Sequence, residues 1–367
     1  MTRRIDRILF LTVIGIAVVG LVALYSASAV LSQIEMKDPF YYINRQLLWT
    51  IVGLAFFLIA IFLPIKIIEW LPLPSILISI VLLLLVFVPG LSRSVSSSKG
   101  NFHRWIELGP VTFQPSEFAK IGLLLYSAWL LSKYKIDDNI RKAIILVLPI
   151  LVVLLLIIVE PQYGTTMTLI IVLSALLFVS GFPMLRLAGI IASTIPLLFL
   201  LAYLWEYRLE RLKVWLDPYA YRYDAGYQLV MSFRAFKDGW WSGTELASGV
   251  AHRYLTYGHT DFVLALFYED FGFIGLLVLV ALYSFYCIRS ARLISKQPIG
   301  FLTLAAIGCV ILFGLQSLIN MFVVTGVVPT TGIGLPFMSY GGSSLIVQYI
   351  LAGLVLNITS RPRRQSE

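Results

Sequence analysis

"ILFLTVIGIAVVGLVALYSASAVL", residues 8–31, contains no charged side chain. A helix of about 20 apolar residues crosses the roughly 30 Å hydrocarbon layer of a bilayer, so this stretch is long enough to span one. It follows the basic start MTRRIDR, and Ser26–Ala29 offers the small residues of a signal-peptide cleavage site. The apolar core of a signal peptide is about 7–15 residues, which this run exceeds, so the segment reads as a retained helix.

Similar runs recur along all 367 residues, at roughly 8–31, 47–64, 72–90, 115–132, 143–159, 165–182, 185–205, 261–287, 299–325 and 343–360. The composition agrees: 59% hydrophobic and 13% charged, where a soluble domain carries about 25% charge. The predicted fold class is therefore all-α: a single integral-membrane domain over 1–367 with ten transmembrane helices.

Orientation follows from Lys and Arg. With the N-terminus cytoplasmic, the inner segments hold 15 of the 28 basic residues, and the much longer outer loops hold 12. This density places both termini in the cytoplasm. The net charge of +9 is spread over helix ends and forms no single patch, so nucleic acid is not an expected partner. Cys287 and Cys309 lie in apolar segments and form no disulfide or zinc framework.

The outer face then carries the long loops 91–114, 206–260 and 326–342. The middle one, between helices 7 and 8, is rich in Tyr, Trp and Arg. Its amphipathic run YQLVMSFRAF predicts helices lying in the interface.

Ionisable residues inside spans are costly and mark candidate sites. Glu117 and Lys120, three apart in FQPSEFAKIG, share one helix face. They read either as a packing ion pair or as a charged pair lining a polar cavity. Asp261 begins the eighth span and also fits a helix N-cap. Glu269 and Asp270 follow about 12 Å further along the helix and read as interior network residues. GVVPTTGIGLPFMSYGGSSL, 326–345, is too rich in Gly and Pro for a plain helix. It offers irregular backbone whose N–H groups could face an anion. There is no HExxH, no nucleotide-binding glycine signature and no Ser elbow, and His103, His252 and His259 lack metal-ligand spacing.

Five stretches in order resemble the SEDS proteins, the family of RodA, FtsW and SpoVE. They are GNFHRWIELGPVTFQPSEFAK (100–120), YRLERLKVWLDPY (207–219), AGYQLVMSFRAFKDG (225–239), GHTDFVLALFYEDFGFIG (258–275) and GVVPTTGIGLPFMSYGGSSL (326–345). The resemblance implies a ten-helix protein of the bacterial cytoplasmic (inner) membrane that polymerises lipid II into glycan strands in cell division or elongation. It also implies a class B penicillin-binding protein as partner. AGYQLVMS and TGIGLPFMSYGGSS lean toward the FtsW and SpoVE branch.

The family's essential aspartate falls on Asp261, and its acid and lysine of the fourth span fall on Glu117 and Lys120. Two positions depart from the family: Gln162 stands where an aspartate is frequent, and Asp270 where a second glutamate is. Inverting transfer needs a base for the attacking 4-hydroxyl, a role given to Asp261. Glu117 and Lys120 complete the catalytic set. The substrate-binding set is Arg104, Arg208, Arg211, Arg253, His259, Thr260, Ser339, Gly341, Gly342 and Ser343, with arginines suited to phosphate. No cofactor is required; a divalent cation (Mg or Mn) bridging Asp261 or Glu117 to pyrophosphate stays open. A lipid II flippase is the alternative function, and a non-catalytic scaffold for the penicillin-binding partner a third.

Overall fold

The structure, a computed structural model, describes residues 5–97, 100–109, 111–134, 140–203 and 206–361. Within these, the side chains of 93–97, 100–103, 108, 111, 140–143, 195, 197–203 and 206–208 lie outside the description. Helices α1 (Arg7–Met36), α2 (Tyr41–Phe62), α3 (Ile65–Trp70) and α4 (Pro72–Leu85) come first. Strands β1 (Ser92–Ser97), β2 (Gly100–Leu108) and β3 (Val111–Phe113) follow, then α5 (Pro115–Lys133), α6 (Ile140–Val159), α7 (Tyr163–Val179) and α8 (Met184–Tyr203). The long loop holds α9 (Glu206–Leu216), α10 (Tyr227–Gly239) and α11 (Ala251–Tyr254). The chain closes with α12 (Val263–Ile294), α13 (Phe301–Val324) and α14 (Gly342–Thr359).

A helix stands at each of the ten predicted apolar stretches. Among the described residues, five of them, α1, α2, α12, α13 and α14, are long and apolar enough to cross a membrane, which makes this a multi-pass membrane protein. Apolar side chains such as Ile51, Ile59, Leu155 and Leu185 face outward, as hydrocarbon contact requires.

The bundle packs through small residues and amides. Asn357 on α14 donates to the carbonyls of Ala60 (2.7 Å) and Leu63 (2.8 Å) at the end of α2. Gly353 on α14 lies so close to α2 that a Cβ there would fall 2.7 Å from both the Phe57 carbonyl oxygen and the Ala60 methyl. In lipid, close backbone approach and interhelical hydrogen bonds replace the hydrophobic drive of water.

The class expected from the apolar runs is corrected in one place. Residues 92–113, read as loop, form an antiparallel three-stranded sheet in the order β1-β2-β3. Ser92 pairs Ile106 and Ser97 pairs Gly100, while Ile106 pairs Phe113. The fold is mostly helical, not purely so. Within β2, Ile106 is buried while its neighbour Glu107 is exposed, as expected where successive side chains point to opposite faces of a strand. This pattern is too short to register against spans of twenty residues.

A second feature concerns α12. Gly272 interrupts it with φ +62° and ψ −162°. The N–H groups of Phe273 and Ile274, left without helical acceptors, donate to Trp240 O (3.0 Å) and Trp241 O (3.1 Å) of the 206–260 loop. Residues 263–271 thus form a separate buried helix. Residues 273–294, at 1.5 Å each, reach about 33 Å and are sufficient to span alone. A Cβ on Gly272 would fall 2.4 Å from Gly243 N. Gly272→Ala therefore costs about 1–3 kcal/mol, read as a lower melting temperature in detergent; an unchanged melt would refute this account of the kink.

Candidate functional site

Asp261 does not cap a helix. The N-cap of α12 is Phe262, which makes no side-chain cap hydrogen bond, so the capping alternative falls. The Asp261 carboxylate makes no hydrogen bond to any described residue. It keeps partial exposure while lying deep among protein atoms. Burial raises its pKa above the ordinary aspartate value, opposed by the positive charges of Arg211 and Arg104 nearby. Gly332, at φ +74°, lies alongside: a Cβ placed there would stand 3.7 Å from Asp261 Oδ2. The result is a partly exposed carboxylate near two guanidiniums, with bare backbone beside it.

The backbone around Asp261 is held from three sides. Asn320 of α13, fully buried, donates to Asp261 O and Ile333 O, each at 2.8 Å. Ser339 Oγ donates to Thr260 O (2.6 Å) and accepts from Leu335 N (2.7 Å). Tyr340 N donates to His259 O (2.9 Å). Gln46 of α2 donates to Ser339 O (3.3 Å) and accepts from Gly341 N (3.4 Å). The Gly/Pro-rich stretch is therefore an ordered partner of the 259–261 turn. Ser339 spends its hydroxyl on that contact. The His259 ring stacks on Tyr42 at 4.7 Å and lies 5.8 Å from Tyr340. Burial lowers its pKa.

The sheet carries Arg104 over the turn that joins α6 to α7. Its guanidinium donates to Glu160 O (3.1 Å) and Pro161 O (3.0 Å). Arg211 of α9 donates to Thr330 O (2.6 Å). Gln162 sits at a polar node below. Its Oε1 accepts from Gln114 Nε2 (3.2 Å) and Ser116 Oγ (2.9 Å), and its Nε2 donates to Glu160 Oε2 (2.9 Å). Ser343 Oγ, at the start of α14, accepts from Gln114 N (3.1 Å). At Gly342 a Cβ would fall 2.6 Å from the Trp49 ring, so its lack of a side chain serves packing.

Glu117 and Lys120 form a buried pair at 2.7 Å in the first turns of α5. Glu117 Oε2 has no hydrogen-bond partner. No direct bond joins this pair to Asp261. Ser116, next to Glu117 in the chain, bonds Gln162, which bonds the Glu160 carboxyl, and the Glu160 backbone carbonyl accepts from Arg104. Replacing Lys120 with Met keeps the stem and removes the charge. Loss of a charged hydrogen bond is worth about tenfold or more in rate. The expected result is turnover lowered by at least that factor in a variant that still elutes as a folded monodisperse species. Wild-type turnover would count against a role for the charge.

Glu269 and Asp270 belong to a different cluster and are not immersed among apolar spans. Asp270 accepts from Ser26 Oγ of α1 and from Ala247 N (3.2 Å), and its Oδ1 lies 2.8 Å from His252 Nε2. Glu269 Oε1 accepts from Ala251 N (3.1 Å). These acids fasten the 206–260 loop to the kink of α12. The carboxylates of 256–272 thus divide into one that makes no hydrogen bond and two fasteners.

The remaining predicted residues are not drawn in. Arg253 is exposed on α11, and its side chain makes no hydrogen bond or ion pair among the described residues. The side chain of Arg208 lies outside the described residues. Asn320, Gln46, Tyr42 and Glu160 are added by the structure. A polar amide in an apolar helix was the available signal for the first two. Among the described residues, no group of three or more His, Cys, Asp and Glu is placed to hold a metal ion.

A family model described as "Cell cycle protein", covering FtsW, RodA and SpoVE, matches residues 6–364. The "Probable peptidoglycan glycosyltransferase FtsW" of Trichlorobacter lovleyi is 34% identical over 97% of this chain and 93% of its own length. The protein of the same name from Alcanivorax borkumensis is 37% identical over 96% and 92%. A chain of a solved peptidoglycan synthase complex, described as coordinating polymerization and crosslinking, superposes with TM-score 0.78 at 30% identity, covering 97% of each chain. The rod-shape-determining protein RodA of Thermus thermophilus superposes with TM-score 0.69 at 29% identity, covering 99% of this chain and 98% of its own. On the full-length match, the shared fold and the ordered motifs around Asp261, this chain belongs to the FtsW/RodA/SpoVE family of cell-cycle proteins.

Proposed function

We infer that the chain is a peptidoglycan glycosyltransferase that polymerises lipid II at the outer face of the bacterial inner membrane. The observation that carries this reading is the Asp261 carboxylate. It is unbonded, raised in pKa by burial, near Arg104 and Arg211, and held by its backbone alone. A base needs an acceptor that nothing else occupies, and that arrangement leaves one.

In the reaction, the 4-hydroxyl of one sugar attacks the anomeric carbon of a neighbour joined to pyrophosphate through an α linkage. A C–O bond forms, the bond to pyrophosphate breaks, and the hydroxyl proton passes to Asp261. The configuration inverts. Pyrophosphate leaves as an anion, so cations take the place of the second carboxylic acid of an inverting hydrolase. Arg104 and Arg211 meet it, with bidentate geometry suited to phosphate. Lys120, paired with Glu117, adds positive charge further along the network.

Ten helices cross the membrane with both termini cytoplasmic, and the 206–260 loop with α9, α10 and α11 covers the site from outside. A class B penicillin-binding protein crosslinks the strands as they emerge. The test is purified chain in liposomes with lipid II, with and without that partner, and products resolved on a gel. Glycan ladders support the reading. Translocation of lipid II without any ladder would replace it by a flippase.

A further inference from the structure

Glu160 is the buried carboxyl that this reaction scheme leaves unused. It is wholly inaccessible. Its Oε2 accepts from Gln162 Nε2 (2.9 Å), and its Oε1 has no hydrogen-bond partner. The charged group acting on it is Arg104 of β2. The polar groups reached through Gln162, namely Gln114 and Ser116 of the α5 start, are neutral. Two of the Arg104 donors go to the Glu160 and Pro161 carbonyls. The same guanidinium also acts on Asp261. One arginine is therefore shared by the buried Glu160 and the partly exposed Asp261, only the latter of which is placed to be a base.

We propose that Glu160 is a positioning residue for the transfer step, setting through Arg104 the electrostatic field at Asp261 and at the departing phosphate. The proposal rests on the glycosyltransferase reading above. With Glu160 neutral, Arg104 and Arg211 outweigh the single charge of Asp261 and leave net positive charge for pyrophosphate. With Glu160 ionised, the four charges cancel and the pull on phosphate is lost. Burial pushes the Glu160 carboxyl up to about 8, so the neutral form prevails at pH 7 and is lost as pH rises through 8. Its bond to the Gln162 amide separately keeps the α6–α7 turn, and with it the two carbonyls that seat Arg104, in register with α5.

The test is lipid II polymerisation by the full-length protein with its transpeptidase partner in liposomes, measured from pH 6 to 9.5. Wild type, Glu160→Gln and Glu160→Ala are compared. Gln cannot ionise. Wild-type kcat is expected to fall as pH passes about 8, while the Gln variant lacks that fall and outpaces wild type several-fold at pH 9. Glu160→Ala removes the acceptor of the Gln162 amide, and kcat drops about tenfold at pH 7 with KM changed less than twofold. Superimposable pH profiles for wild type and the Gln variant overturn the proposal. So does an Ala variant within twofold of wild-type kcat. If the Ala variant does not fold, the Gln profile decides alone. Wild-type protein that is folded yet makes no glycan at any pH overturns the glycosyltransferase reading instead.

Discussion

Asp261→Asn is expected to lower glycan polymerisation by about 10² to 10⁴, the typical contribution of a positioned general base. Its melting temperature should match wild type. The carboxylate makes no hydrogen bond in the folded protein, and the bonds that hold residue 261 go to its backbone carbonyl from Asn320, so asparagine removes basicity without removing a scaffold contact. The sign of the pH dependence follows from the same surroundings. Burial holds the Asp261 carboxyl above the usual carboxylate range, with Arg211 and Arg104 pulling the other way. A base works ionised, so activity is lost as pH falls through this raised value, at a higher pH than an exposed aspartate near 3.9 would give. The acid limb of kcat against pH reads it directly. Near-normal glycan chains from a folded Asn variant would defeat the assignment.

Asp270→Ala should show the reverse pattern, with a large loss of stability. Asp270 is buried, and its oxygens serve Ser26, Ala247 N and His252. Truncation strands Ser26 Oγ–H and His252, leaves Ala247 N with Ser26 Oγ alone (3.0 Å), and leaves Glu269 beside His252 without its neighbour. Breaking a buried charged cluster on one side costs about 3–5 kcal/mol. The loss should appear as a lower unfolding midpoint and as protease cleavage within 240–252, since that loop is fastened here and at the Gly272 kink. Asp270→Glu, which restores the acid seen more often in the family, should recover part of the midpoint. An Ala variant that melts with wild type would mean that the cluster does not hold the loop.

The two predictions separate carboxylates that look alike in TYGHTDFVLALFYEDFG. Spacing places all three acids on one apolar segment, and nothing local says that Asp261 is unbonded while Asp270 is saturated. That difference comes from residues far away in the chain: Ser26 for one, Asn320 and Gly332 for the other. Arg104 illustrates the same point. Its motif marked it as a candidate, but its reach toward Asp261 depends on a sheet that the hydropathy of 91–114 concealed.

The sequence by itself determined the helices, because an apolar run of twenty residues in lipid has no other way to satisfy its backbone. It also determined the chemistry to look for, since ionisable groups in such a chain are too costly to keep without use. Only the tertiary structure decided which acid is open and which are fasteners. It also decided that Ser339 and Ser343 spend their hydroxyls on backbone, and that Glu160 shares an arginine with Asp261. Hydrophobic spans are specified by local composition, whereas the state of a buried polar group is set by the partners that folding brings to it.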